Sequence, residues 1–258
     1  MLFAVLFPDD CRLCGSPLTE VSRVPVCAAC LEPPEPLESE HFCLHCRTPF
    51  SSSHALDEEG RCGLCRLGLN GFDAAYSFGP YEGRLRELVH LFKYGGVETL
   101  AGPLGSMALP AFPRGERFDV IVPMPMHWLR RWRRGFNQAE LLAREIGRRT
   151  GLPIENPIRR RRATNPQANL SGSQRRANVA GAFRMKRRAS IRGRRVLLVD
   201  DVFTTGASAS ACAATLKRAG AQYVAVFALA RTDRRHAAND LKAIDETDPL
   251  TVGATECM

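Results

Sequence analysis

The sequence predicts an α/β protein: a parallel sheet flanked by helices, preceded by a small cysteine-rich module. Three observations predict it. From residue 72 onward, short aliphatic runs alternate with amphipathic stretches of helical period. Eight of the ten cysteines fall before residue 66 and form four C-x-x-C pairs. Charge breaks at the same place: residues 1–66 carry 5 basic and 10 acidic side chains, whereas residues 67–231 carry 28 and 11. The chain therefore divides into a module at 1–70, a main domain at 71–231 and a polar tail at 232–258 that reads as poorly ordered.

A chain of 258 residues is long enough for one full core and a smaller module. No apolar run approaches the roughly 18 residues of a membrane span. The opening MLFAVLF lacks a basic flank and meets PDDC at once, so it reads as a packed helix or strand rather than a signal peptide. A cytoplasmic protein is the expectation. The strongly basic centre suits phosphate-bearing partners, either a nucleotide-like ligand or nucleic acid.

The cysteine pairs are Cys11/Cys14, Cys27/Cys30, Cys43/Cys46 and Cys62/Cys65, separated by 12, 12 and 15 residues. A C-x-x-C turn presents two sulfurs on one side of a knuckle, and two knuckles close a tetrahedral zinc site. Eight thiolates make two such sites with none left over. Disulfides are disfavoured in a chain without an export signal, and a redox motif would use one pair rather than four. His41, His45 and His54 are surplus donors that read as surface residues. Neighbouring pairs could close two consecutive sites, or alternate pairs a cross-brace. The similarity of CRLCGSPL to CLHCRTPF favours consecutive sites. Two structural Zn²⁺ ions would fold a segment that has little core of its own. LEPPEPLESEH between the two sites reads as a linker.

In the main domain, FDAAYSFGPY alternates as a strand and ends at a turn. EGRLRELVHLFKYGG carries Leu85, Leu88, Val89, Leu91 and Phe92 at helical spacing before a glycine stop. VETLAGPLGSMALPAF reads as a second helix interrupted by prolines. Phe118 to Val122 form a buried strand ending in Pro123 and Pro125. NQAELLAREIGRRTG is an amphipathic helix and LPIENPI a strand. Residues 159–182 read as a long, mobile, cationic loop. RRVLLVD is a strand, GASASACAATLKRAG a helix of small residues, and AQYVAVFALA a further buried strand.

Open parallel sheets bind ligands at the carboxyl ends of their strands. The segment VLLVDDVFTTGAS puts Asp200 and Asp201 at such an end, directly before a helix start. Carboxylates accept hydrogen bonds from the vicinal hydroxyls of a sugar. Thr204, Thr205 and Ser208, with the amides of 204–208, can cradle a phosphate, and Gly206 permits close backbone approach. A sugar phosphate satisfies both halves. A Walker B strand would require a G-x-x-x-x-G-K-[ST] loop, which the sequence lacks. A receiver-type acidic pocket would place its acids near the start of the domain.

This segment resembles the thirteen-residue phosphoribosyl pyrophosphate motif of type I phosphoribosyltransferases, with Ser208 in place of the commoner threonine. The ordered set of cysteine pairs, YEGRLRELVHLFKYGG, VPMPMHWLRRWRRGFNQAELLA, NPQANLSGSQRRANVAGAF and VLLVDDVFTTGAS is similar to the ComF family, from about Cys11 to Arg231. That resemblance implies a double zinc ribbon joined to a phosphoribosyltransferase domain, in a family linked to DNA uptake in natural competence. It implies that Asp200 and Asp201 bind the ribose hydroxyls. Thr204, Thr205, Gly206, Ala207 and Ser208 would hold the 5′-phosphate. Pro123, Met124 and Pro125, in the loop to His127, would face pyrophosphate with Mg²⁺, although the two prolines remove amide donors from that loop. Lys93, Arg134, Gly135, Gln138, Gln167, Arg175 and Asn178 would serve the phosphates or loop closure. The implied activity is transfer of phosphoribose from phosphoribosyl pyrophosphate to an unknown acceptor.

A second class of function fits WLRRWRRGF. Arg130, Arg131, Arg133 and Arg134 with Trp128, Trp132 and Phe136 offer charge for phosphates and faces for bases, as single-stranded DNA binders do. RRRR at 159–162 and RMKRRASIRGRR add to it. Trp128 and Trp132 stand four residues apart, which equally suits the core stripe of a helix. Phe203 and Tyr94 read as core.

Overall fold

A computed structural model describes residues 9–18, 22–34, 39–69, 71–161 and 181–232. The opening MLFAVLF, Gln167, Arg175, Asn178, Cys257 and the tail beyond 232 lie outside the described residues.

The centre is a four-stranded parallel sheet in the order β3-β8-β7-β4. Its strands are β3 (Ala74–Pro80), β4 (Val120–Pro123), β7 (Arg195–Phe203) and β8 (Tyr223–Arg231). The middle strands are buried on both faces, which explains their nearly unbroken aliphatic runs. Successive side chains supply opposite layers. Val196 and Leu198 face one apolar cluster, and Leu197 and Val199 face the other.

Helices α2 (Gly83–Tyr94), α3 (Ala101–Ala108) and α5 (Gln138–Thr150) cover the second face through Leu88, Phe92, Leu104 and Ile146. Gly151, in the left-handed conformation, ends α5 where the sequence places its stop. Helix α6 (Ala207–Arg218) covers the first face through Ala209, Cys212, Ala213 and Leu216. Small residues on α6 let it lie close to the sheet and to the segment entering it. The amide of Gly71 donates to Ser210 Oγ at 3.0 Å, and a Cβ at Gly71 would run into the Ser210 carbonyl.

Before the sheet come the short pair β1 (His41–Phe42) and β2 (Pro49–Phe50), and the single-turn helix α1 (Gly63–Arg66). These form the frames of the cysteine knuckles. The two cysteine groups flank the sheet: Cys43, Cys46, Cys62 and Cys65 join the first apolar cluster, and Cys11 and Cys30 join the second.

Several expectations are corrected. LPIENPI is not a strand of the main sheet: Ile154 makes a single bridge to Ile121, Pro153 and Pro157 have no N–H to extend it, and Ile158 belongs to a separate ribbon. The ends of the expected loop at 159–182 are a ribbon, β5 (Ile158–Arg160) antiparallel to β6 (Phe183–Met185); residues 162–180 lie outside the described residues. Asp200 and Asp201 stand inside β7 rather than at its end, since the strand continues to Phe203. Trp128 and Trp132 form no core stripe: on α4 (Trp128–Arg134) they are 68% and 79% exposed. Tyr94 is exposed too, whereas Phe203 is core. His45 is half-buried rather than freely exposed; it stacks on Phe72 with ring centroids 5.0 Å apart.

Candidate functional site

The geometry of the carboxylates follows from unequal strand lengths. β4 pairs with β7 only up to Pro123 opposite Val199. β8 stays paired through Asp200 opposite Ala228 and Phe203 opposite Arg231. Beyond Val199, β7 therefore has a neighbour on one side only, and Asp200 and Asp201 look onto the space left by β4. That space is a cavity of about 900 Å³. It is lined by Asp200 and Asp201 and by five cations: Lys93, Arg130, Arg133, Arg134 and Arg160.

Lys93 Nζ lies 2.9 Å from Asp201 Oδ1, with both side chains 14% exposed. Burial is the largest single influence and works against the Lys93 ammonium, but Asp201 beside it, with help from Asp200 and Tyr81, holds its pKa above the ordinary value. Among the described residues, Asp200 makes no ion pair as close as this one, though Lys93 and then Arg160 act on it from further off. Burial first, and the Asp201 charge second, push its pKa up to about 7. Lys93 is what allows two adjacent buried acids to coexist. Lys93→Met is therefore expected to destabilise the protein by about 3 kcal/mol at pH 8 and by much less at pH 5.5, where Asp200 can take up a proton. Urea unfolding at the two pH values measures this; equal losses at both would show that packing rather than charge is involved.

After Phe203 the chain turns through Thr204 and Thr205 to Gly206, whose φ of +75° is left-handed, and enters α6. Thr204, Gly206 and Ser208 line the cavity; Thr205 and Ala207 do not. The hydroxyl of Thr205 is buried behind the cavity wall, with no hydrogen-bond partner among the described residues. The unpaired amides of the first turn of α6 attract anions at the same place.

The opposite wall is the β4–α4 loop. Met124 and Pro125 line the cavity and Pro123 ends the strand. The Met124 amide is committed to Val199 O at 2.7 Å. With two prolines as well, the loop keeps only the amides of Met126 and His127 to offer a ligand. Arginines supply the positive charge that amides cannot. Arg134 is held by Gln138 Oε1 at 2.8 Å, and its guanidinium lies 5.0 Å from the Tyr94 ring. Arg130 and Arg133 also reach the cavity, whereas Arg131 pairs with Glu140 and lines an adjoining pocket of about 660 Å³ with Trp128. Trp132 lines neither.

Asn137 was not singled out in the sequence, and Arg160 only as part of the basic run at 159–162. Asn137 is buried and its Nδ2 donates to Met124 O at 3.1 Å, fixing the β4–α4 loop. Arg160 lies at the end of β5, near enough to Asp200 to be favoured by its charge while burial lowers its pKa. Alternation from buried Ile158 would have turned Arg160 inward, had 158–160 been read as a strand.

The cysteines fall into two groups, Cys11/Cys14/Cys27/Cys30 and Cys43/Cys46/Cys62/Cys65, each with its sulfurs within 4.8 Å of one another. The pairing is consecutive. Sulfur separations of 3.7 Å recur, for Cys14–Cys27, Cys43–Cys65 and Cys46–Cys62. Four thiolates at ~2.3 Å from one centre stand ~3.8 Å apart, whereas a disulfide would need ~2.05 Å. The amides of Cys27 and Cys62 donate to the sulfurs of Cys11 and Cys43 at 3.4 and 3.3 Å, which stabilises thiolates. Both groups could hold structural zinc. Among the described residues, no helix is long and apolar enough to cross a membrane.

Comparison with known proteins agrees with this arrangement. The phosphoribosyl transferase domain family matches residues 132–250. The DNA utilization protein YhgH of Escherichia coli O157:H7 is 31% identical over 232 residues, 87% of this chain and 98% of that one. Competence protein F of Haemophilus influenzae is 28% identical over 221 residues, 82% and 92% of the two chains. Competence protein ComFC of Bacillus subtilis is 29% identical over 157 residues, 59% and 62% of the two chains.

Proposed function

Because the chain belongs to the ComF family, with paired cysteine clusters ahead of a phosphoribosyltransferase domain, we propose that it binds phosphoribosyl pyrophosphate and transfers its phosphoribose to an acceptor. The observation that carries this reading is the cavity itself. One space holds two adjacent carboxylates, the start of α6 with its hydroxyls, and a cluster of arginines. Asp200 and Asp201 would accept hydrogen bonds from the ribose hydroxyls. Thr204, Ser208 and the amides around Gly206 would hold the 5′-phosphate. Lys93, Arg130, Arg133 and Arg134 would face the pyrophosphate.

In the transfer, the bond from ribose C1 to pyrophosphate breaks and its electron pair leaves with pyrophosphate. A lone pair of the acceptor forms the new bond at C1, and the acceptor gives up a proton. The arginines favour the leaving charge, and the two carboxylates steady the positive charge that develops on the ribose. Mg²⁺ arriving with pyrophosphate would add neutralising charge. Both cysteine clusters would hold Zn²⁺ as structural ions. The relatives' names refer to DNA utilization and competence, and we take the same setting for this chain.

The second reading, single-stranded DNA binding without catalysis, rests on the exposure of Trp128 and Trp132 on α4 beside Arg130, Arg131 and Arg133. Exposed indoles among arginines suit base stacking and phosphate contact. Calorimetric titration of the zinc-replete protein with phosphoribosyl pyrophosphate and Mg²⁺ tests the first reading. Saturable binding is expected; its absence would remove that reading. Anisotropy with labelled single-stranded DNA at low salt tests the second. Binding that falls steeply with salt and weakens in Arg130→Glu/Arg133→Glu would support it, and no binding at low salt would end it.

A further inference from the structure

Arg231 closes β8, and its burial sets it apart. It is 2% exposed, although nothing in the sequence around it marks a core residue. Its Nη2 donates to the Cys46 carbonyl at 2.8 Å. Its guanidinium lies 5.1 Å from the Phe203 ring. Its Nε and Nη1 are buried with no hydrogen-bond partner among the described residues. Among the described residues no carboxylate pairs with it. A guanidinium in such a place requires a nearby anion, since burying an uncompensated charge costs several kcal/mol.

The anion available is the second cysteine cluster. The Cys46 carbonyl that Arg231 Nη2 reaches belongs to one of its four residues, and all four cysteines are buried on that face of the sheet. Four thiolates around one divalent zinc leave a net charge of about −2. The donor set thus fits the metal, and the metal-loaded cluster fits the arginine.

Arg231 also adjoins the residue that leads into the ligand loop. Phe203 is its register partner across the β7–β8 ladder and the last residue before Thr204. The Phe203 ring meets Phe72 edge-on at 5.9 Å, and Phe72 stacks on His45, between Cys43 and Cys46 of the second cluster. The ring also lies beneath Gly206, where a Cβ would come within 2.6 Å of Phe203 Cζ. The path runs from the Cys46 carbonyl through Arg231 and Phe203 to Gly206. The first cluster, on the other face of the sheet, has no such path among the described residues.

We propose that Arg231 is the counter-ion of the metal-loaded second cluster and a positioning residue for the Thr204–Ser208 loop, tying zinc occupancy at that cluster to phosphate binding. This rests on the phosphoribose reading for the identity of the ligand, but not for the metal or the loop.

The test uses the full zinc-replete chain with Arg231→Met and Arg231→Lys. Three quantities are read: zinc release to a chromogenic chelator after thiol modification, amide exchange over 203–208, and affinity for phosphoribosyl pyrophosphate. Two release phases are expected. The fast one comes from the first cluster, where Cys14 is exposed, and the slow one from the second, where all four cysteines are buried. Arg231→Met is expected to speed the slow phase at least ~10-fold, leave the fast phase unchanged and raise exchange at 203–208 by a similar factor. Arg231→Lys should restore the slow phase but not the protection, because lysine keeps the charge and lacks the planar face against Phe203. Native release and native exchange in Arg231→Met would overturn the proposal. If Arg231→Met does not fold, Arg231→Lys decides: fast zinc loss, or native exchange, would overturn it. If the wild type ignores phosphoribosyl pyrophosphate, the ligand reading fails while release and exchange still decide the role of Arg231.

Discussion

Asp200→Asn is expected to weaken sugar-phosphate binding roughly 10–100-fold while making the ligand-free protein more stable at pH 8. The loss follows from exchanging a charged acceptor of ribose hydroxyls for a neutral amide, worth about 1.5–3 kcal/mol for hydrogen bonds to an ionised group. The gain follows from the cost of keeping that charge. The folded-state pKa of Asp200 is raised to about 7 from an ordinary 3.8, by burial first and by Asp201 second. Between those values the folded chain holds a proton that the unfolded chain has released. Stability therefore falls as pH rises through that window, and the loss is complete above pH 7, on the order of 4 kcal/mol in all and about 2 kcal/mol of it above pH 5.5. Asparagine has no such slope. The urea midpoint of the wild type should drop between pH 5.5 and 8.5, and that of Asp200→Asn should drop less. Ligand affinity in the wild type should rise over the same interval, since the ionised carboxylate is the form that accepts hydrogen bonds. Asp201→Asn separates the two acids: it strands the buried Lys93 and should lower both affinity and stability. A variant Asp200→Asn that unfolds earlier than wild type at pH 8.5 would mean that its charge is compensated.

The parts of the molecule that were legible in the sequence are those encoded over short distances. C-x-x-C spacing fixes a knuckle locally, and the run from Val196 to Ser208 carries strand, turn and helix start in thirteen consecutive residues. Helix α5 shows its buried face and its glycine stop in its own residues. What escaped depends on partners far along the chain. Arg231 looked like the edge of a polar tail, and only its carbonyl partner 185 residues earlier makes it core. Trp128 and Trp132 have the spacing of a buried stripe, but α4 is a seven-residue helix whose two indoles stay 68% and 79% exposed, Trp128 touching only the neighbouring His127 ring among the ring contacts of the described residues. The depth of Asp200 and Asp201 was missed because strand length is set by the neighbour. β8 extends β7 to Phe203, while β4 stops at Pro123, and that mismatch makes the cavity.

The Gly206→Ala variant should lose both fold stability and ligand binding, and the reasons can be separated. At φ +75° an L-residue costs about 1–2 kcal/mol in the left-handed region. The added Cβ would also sit 2.6 Å from Phe203 Cζ and 3.0 Å from Leu69 Cδ2. Phe203 has little freedom to yield, held as it is between Phe72 and Arg231. The backbone of the loop must shift instead, which carries the amides of the first turn of α6 away from the phosphate. A total of about 2–4 kcal/mol in stability and a loss of roughly 100-fold in affinity are expected. Gly151→Ala is the matched control. Its φ is +76°, but nothing lies within 4 Å of the added carbon, and it caps α5 outside the residues lining the cavity. It should lose only the conformational part, about 1 kcal/mol, with unchanged affinity. Urea unfolding and calorimetry on both variants give the comparison. If Gly206→Ala binds phosphoribosyl pyrophosphate as tightly as Gly151→Ala does, the start of α6 is not where the phosphate rests, and the arginines of α4 must hold it alone.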